Sequence, residues 1–263
     1  MVQLALVQMR CEKGEIDANL ARMRRHIEES GRQGDDIVVF PEMSITGYIN
    51  PVAMPAAALT LDDPAVRAVA AMTLGMNVTV LAGLVERNPS GKPFITQVVA
   101  QKGRIAGHYR KITIAEDEQE WFDPGAGAPD FRHGETPFGL SICADHGSAA
   151  LFEALAQKGA TLILAPSAPG LYGEQATRDW QAGFDWWRGT CARDLGGHAR
   201  RHGLWIAVAT QAGRTVDEDF PGGGFVFGPD GACVAATPDW REGVLRAAAV
   251  PSQTPSGPLP RDR

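Results

Sequence analysis

PFGLSICADHG, residues 137 to 147, decides how this chain is read. Phe138, Leu140 and Ile142 alternate with Gly139, Ser141 and Cys143, the period of a strand. That alternation places Cys143 on the face opposite the bulky residues, alongside small ones. From about Ser148 to Lys158, Leu151, Phe152 and Leu155 fall on one side, and Gly159 is a stop signal, so the segment reads as a helix. "TLILAPS" is then a second strand, buried on both faces. The unit is strand, helix, strand, and it sets the class as α/β.

The same alternation extends in both directions. "VQLALVQM" near the start is a strand. Ile16, Leu20, Met23 and Ile27 recur at helical spacing, which predicts an amphipathic helix from about Ile16 to Ser30. "DDIVVFPE" is a short buried strand. Asp63 and Pro64 form an N-cap and first-turn pair for a helix running to about Leu74. "VTVLAGLVER" and "FITQVVAQ" read as an antiparallel pair joined by "NPSGK", and "GRIAGHYRKITI" adds a strand and a turn. A helix near Trp180 to Asp194, the strand "LWIAVAT", and "GGFVFGPDGACVAAT" with its "PDG" turn follow. The expected class is therefore α/β with mixed sheets, in one domain over 1–250. The tail over 251–263 is rich in proline and reads as extended or disordered.

Composition narrows the functions. The chain has 263 residues and 44% hydrophobic content, enough for one large core. Its net charge of −6 and pI near 5.5 argue against nucleic acid or an anionic membrane as partner. Cys11, Cys143, Cys191 and Cys233 are far apart and suggest neither a zinc knuckle nor a disulfide framework. Reduced thiols and a cytoplasmic setting are expected. The N-terminus reads as a strand and not a signal peptide, and no stretch approaches the ~20 apolar residues of a membrane span.

Several residues could carry chemistry, each with a plainer alternative. Glu42 ends a buried strand, where α/β sheets place their sites, although capping or surface glutamates are also common there. Lys111 lies in a mostly apolar setting; it is either a solvated strand-end lysine or a cation that holds a carboxylate and stabilises an oxyanion. Residues 116 to 120 hold four acids, ordinarily a solvated face, but Trp121-Phe122 could anchor the run and turn one acid inward. Cys143 is either core filler or a nucleophile whose pKa a helix N-terminus would lower. His146 raises a Cys–His pair, yet it lies past the strand end and need not reach back to the sulfur.

Four segments in order, "FPExxxTGY", "YRK", "ExxWFxPG" and "GLSIC-x-D", resemble the nitrilase superfamily of carbon–nitrogen hydrolases, and the likeness covers nearly the whole chain. The resemblance implies a four-layer α-β-β-α sandwich and a catalytic triad of Glu42, Lys111 and Cys143, with Glu118 as a supporting glutamate. It also implies a thioester mechanism in which the backbone N–H of Ala144 helps to hold the oxyanion. It needs no cofactor and no metal, and it implies a small-molecule amide as substrate and a homo-oligomer, a dimer or larger.

The chain departs from the family pattern just after the cysteine. Ala144 stands where an aromatic is usual, which should open the pocket, and His146-Gly147 stand where carbamoylases usually carry arginines. True nitrilases typically have Trp-Glu there. Plain amide hydrolysis is the leading expectation. An N-carbamoyl amidohydrolase is the alternative, with Arg178, Arg188 or Arg193 to hold a substrate carboxylate, and a catalytically silent binding relative or acyl transfer to another acceptor stays open. The stripe Trp180, Phe184, Trp187 and Cys191 reads as core or interface, with Trp186 and Arg188 off it and free to face a pocket. "GGG" at 222 to 224 reads as a turn or close backbone approach. His198 and His202 read as a polar helix end and not a metal pair. No residues that bind the substrate's side chain can be read from the sequence.

Overall fold

Alternation sorts the first strand between two cores. In β1 (Val2–Gln8), Val2, Leu4 and Leu6 enter one buried cluster, while Ala5 and Val7 enter another. Each such leucine contributes roughly 2 kcal/mol by leaving water. The computed structural model describes residues 1–251, so the tail, apart from Pro251, lies outside the described residues.

The first half of the chain builds one sheet and its outer helices. α1 (Ile16–Gln33) lays Leu20, Met23 and Ile27 on the cluster that holds Ala5 and Val7, and ends at Gly34 in the left-handed region. β2 (Ile37–Val39) is buried throughout. α2 (Pro64–Met72) starts where the Asp63 carboxylate accepts the Ala65 N–H at 2.8 Å, and its Val66 and Val69 join the same cluster. β3 (Thr79–Glu86), β4 (Phe94–Gln101) and β5 (Arg104–Arg110) follow as an antiparallel meander, as the "NPSGK" turn predicts.

The second half repeats the plan. β6 (Phe131–His133) and β7 (Thr136–Leu140) pair antiparallel, then α3 (Ala149–Gln157), β8 (Leu162–Ser167), α4 (Trp180–His202) and β9 (Trp205–Thr210) alternate. β10 (Ala212–Arg214) and β11 (Asp219–Pro221) form a small separate ladder. β12 (Gly224–Phe227) and β13 (Cys233–Ala236) turn at "PDG", and β14 (Gly243–Ala249) returns to pair with β1.

Two six-stranded mixed sheets result, ordered β14-β1-β2-β3-β4-β5 and β13-β12-β9-β8-β7-β6. In each, three neighbouring strands run parallel: β1, β2 and β3 in the first, β7, β8 and β9 in the second. The inward residues of both sheets share one core, including Leu4, Leu6, Leu81, Phe138, Leu164 and Phe225. The helices cover the outer faces, giving the α-β-β-α sandwich.

Some local expectations change. α4 is longer than the Trp180 to Asp194 expected and runs on to His202, with His198 and His202 in its last turns. The strand before the cysteine stops at Leu140, so alternation does not reach Cys143; that residue sits in a 3-10 turn over Cys143–Gly147. Phe184, Trp187 and Cys191 are core as expected, whereas Trp186 is 48% exposed and Arg188 pairs with Asp185 across one turn. The "GGG" stretch is a close approach: a Cβ on Gly222 would lie 2.3 Å from the Trp240 carbonyl oxygen.

Candidate active site

The ends of three strands converge between the sheets. Glu42 lies three residues past β2, Lys111 directly follows β5, and Cys143 lies three residues past β7. The turn carrying Glu42 is sewn to β3: the Gly83 N–H donates to Ser44 Oγ at 2.9 Å, the Val85 N–H donates to Thr46 Oγ1 at 3.1 Å, and the Ile45 N–H donates to the Gly83 carbonyl at 2.7 Å. Gly83 has no room for a side chain, since a Cβ there would sit 2.3 Å from the Met43 nitrogen.

Both turns are held in sparsely populated backbone. Among the described residues three non-glycines have positive φ, and two of them are Met43 at 52°, next to Glu42, and Cys143 itself at 42°. Such conformations cost on the order of 1–3 kcal/mol and persist where surrounding contacts over-determine them. Asp145 supplies those contacts at the cysteine. Its Oδ2 accepts the Ile142 N–H at 3.0 Å and the Tyr109 hydroxyl at 2.7 Å, and its Oδ1 accepts the N–H groups of Ile112 and Thr113 at 3.2 and 2.7 Å. One buried carboxylate thus ties the cysteine turn to the segment that carries Lys111.

Lys111 is the electrostatic centre. Its ammonium donates to Glu42 Oε1 at 2.9 Å and to Glu118 Oε2 at 2.7 Å, and all three side chains are buried. Glu42 Oε2 accepts the Ala168 N–H at 3.0 Å, at the end of β8, so this carboxylate spans the two sheets. Glu118 Oε1 accepts the Tyr48 hydroxyl. The Trp121 and Phe122 N–H groups bond back to the Glu118 carbonyl, which turns this acid inward while Glu116, Asp117 and Glu120 face solvent. The aromatic pair therefore anchors the acidic run, as its sequence context predicts.

Burial and neighbouring charge set the protonation states. Burial raises the Glu42 carboxyl to about 7, against the pull of Lys111 and of the nearby Cys143 thiol. Burial by itself would lower the Lys111 ammonium, but Glu42 and Glu118 outweigh it and hold the pKa above the usual lysine range. The Cys143 thiol is pushed well up by burial and then by Glu42. This corrects the expectation that a helix end lowers it: the resting group is a neutral thiol beside a carboxyl able to take its proton. His146 is not that base. Burial lowers its ring to about 3, it stacks on Trp187 at 5.9 Å between centroids, and its Nε2 has no hydrogen-bond partner among the described residues.

A cavity of about 320 Å³ opens beside this group, with Glu118 and Tyr48 in its wall together with Trp121, Leu171 and Tyr172. Among the described residues its wall holds none of the three arginines considered for a substrate carboxylate. Arg178 is bound to Asp219 at 2.9 Å and to the carbonyls of Leu171, Tyr172 and Gly173, so it buttresses a cavity loop from behind. Arg188 and Arg193 pair with Asp185 and Asp194 on α4. Among the described residues no group of three or more His, Cys, Asp or Glu is placed to hold a metal, and no helix is long and apolar enough to cross a membrane. Sequence reasoning assigned no role to Tyr48, Tyr109 or Asp145. Tyr48 lies within the "TGY" of the first motif, the one signal that could have drawn attention to it.

Comparisons with known proteins agree with this fold. A glutamine-dependent NAD(+) synthetase of Acinetobacter baylyi is 24% identical over 248 residues, 91% of this chain; the chain spans only 42% of that protein's length. An N-carbamoylputrescine amidase of Solanum tuberosum is 24% identical over 265 residues, covering 94% of this chain and 85% of that one. Among solved structures, an amidase from Nesterenkonia sp. AN1 with acrylamide added at its active-site cysteine superposes with a TM-score of 0.81 at 22% identity, over 95% of this chain and 94% of that one. The sequence model of the carbon-nitrogen hydrolases matches residues 3–255, and the chain belongs to that family of enzymes.

Proposed function

We propose that the protein hydrolyses the amide bond of a small molecule through a thioester on Cys143. The observation that carries this reading is the Glu42 carboxylate, which accepts from the Lys111 ammonium and the Ala168 N–H at once and lies near enough to the Cys143 thiol for each to move the other's pKa. Glu42 takes the thiol proton, and the sulfur attacks the amide carbon. The Lys111 ammonium and the Ala144 N–H stabilise the oxyanion; Ala144 lies in the first turn of the 3-10 segment, where N–H groups lack intrahelical acceptors. Glu42 passes the proton to the departing nitrogen, and ammonia or an amine leaves. Water then attacks the thioester, with Glu42 again the base, and the acid departs as the thiol is restored. Glu118 positions Lys111, and Tyr48 positions Glu118.

The Solanum relative keeps N-carbamoyl cleavage as the second reading. The test is ammonia release from aliphatic, aromatic and amino-acid amides, N-carbamoyl compounds and nitriles, with Cys143→Ser beside the native protein. Release from amides that falls about a thousandfold or more in the variant supports the proposal. Carbon dioxide appearing with the ammonia, from carbamoyl compounds only, favours the second reading. No release from anything, with Cys143 inert to iodoacetamide at neutral pH, overturns both.

A further inference from the structure

The cavity wall is charged in one sense. Asp117, Glu118, Asp217 and Glu218 line it, against one cation, Lys13. That cation is spent: its ammonium lies 2.6 Å from Asp217 and 3.0 Å from Glu218. Glu118 is committed to Lys111 and Tyr48 at the inner end. Asp117 has no hydrogen-bond or ion-pair partner among the described residues and stands at the outer end with Asp217 and Glu218. Among the described residues the wall offers, beyond Lys13, no positive group for an anionic ligand.

The rest of the wall suits a cation as well. Tyr48, Trp121 and Tyr172 present aromatic surface in the same cavity, and ring faces attract ammonium and guanidinium groups. The Asn50 side-chain oxygen is occupied by the N–H groups of Val52 and Ala53. The Glu218 carboxylate is wedged where a Cβ on Gly170 would lie, 2.2 Å from Oε1, so glycine at that position makes room for the acid. Burial holds the Glu218 carboxyl above its ordinary pKa, against the pull of Lys13, so this acid lacks full compensation. The volume is that of a short chain and not of a polymer.

We infer that the substrate is a short amide carrying a positive charge, a primary ammonium or guanidinium, at the end remote from the scissile bond. The charged end sits against Asp117 and Glu218 and the aromatic wall, while the amide reaches past Glu118 toward Cys143. This deepens the amidase proposal and rests on it for the identity of the reacting group.

Three amides of similar length decide the matter: δ-aminovaleramide, which is cationic, hexanamide, its neutral isostere, and glutaramate, which is anionic. Two readouts are taken, ammonia release by the native protein and calorimetric binding to the Cys143→Ala variant. The cation is expected to exceed the neutral amide by about tenfold or more in kcat/KM and in affinity at low salt, with the anion weakest. The gap should shrink as salt rises, and Asp117→Asn should narrow it further. Equal affinities, a preference for hexanamide or glutaramate, or no measurable binding of the cation overturns the inference. Ammonia from hexanamide at the same rate as from δ-aminovaleramide overturns it while leaving the amidase reading intact. Preferential binding of the cation with no hydrolysis of any of the three leaves the charge assignment standing and removes the amidase reading.

Discussion

At the scale of single residues, the proposed chemistry rests on a carboxyl beside a thiol, with a lysine between two acids. In the proposed mechanism Glu42, raised by burial to about 7, must be ionised to accept the thiol proton. The sign follows: below that value the base is protonated and turnover fails, and above it turnover levels off. A plot of log kcat/KM against pH should therefore climb with a slope near one until about pH 7 and then flatten. Glu42→Gln should remove that limb together with most of the activity. Lys111→Met presents a different loss. It leaves Glu42 and Glu118 buried without their shared cation, and a denaturant titration should show about 3 kcal/mol less stability, as expected for a broken buried ion pair. The juxtaposition of these three residues was legible in the sequence, because Glu42, Lys111 and Cys143 each lie in a short motif just past a strand. The protonation logic was not. A helix end was expected to lower the thiol pKa, but burial and the facing carboxyl govern it.

At the scale of elements, the turns matter more than the strands that feed them. Strand alternation was visible in "PFGLSIC", and the helix after it was found within a residue of Ala149–Gln157. The geometry of Cys143 was not visible, because period-two alternation ends with Leu140 and a φ of 42° leaves no trace in composition. What holds that φ is Asp145, whose partners Tyr109, Ile112 and Thr113 are more than thirty residues away; a local reading cannot reach them. Asp145→Asn should lose at least one of the four hydrogen bonds, because its amide donates where the carboxylate accepts a backbone N–H. We expect about 3 kcal/mol of destabilisation by denaturant titration and slower alkylation of Cys143. Gly83→Ala tests the other turn. Its Cβ would displace the Met43 backbone and with it Glu42, so kcat should fall while substrate affinity, set by the cavity loops, changes less. A steady-state comparison of kcat with KM checks this.

At the scale of the whole molecule, each sheet holds only part of the site. Glu42 and Lys111 leave the first sheet, Cys143 and Ala168 the second, and the Glu42 carboxylate is bonded to both. Loss of activity on heating should therefore coincide with loss of near-ultraviolet circular dichroism, with no active form that has lost the packing between sheets. An activity midpoint well above the packing midpoint would contradict this. Mixed sheets were readable from the alternation of elements and the two-sheet plan from the family resemblance; the small β10–β11 ladder was readable from neither, since three-residue strands carry too little pattern. The cavity has a different origin from the chemistry. Its walls are short surface loops around 48–50, 117–121, 170–172 and 217–218, none of which carries the thiol. A lineage that inherits this sandwich can exchange the loops at 170–172 and 217–218 one at a time, by insertion or point change, and acquire a new diet while Tyr48, Glu118 and Lys111 stay in place. A laboratory that shuffles only those two loops has a library in which every member keeps Glu42, Lys111, Glu118 and Cys143 where they are.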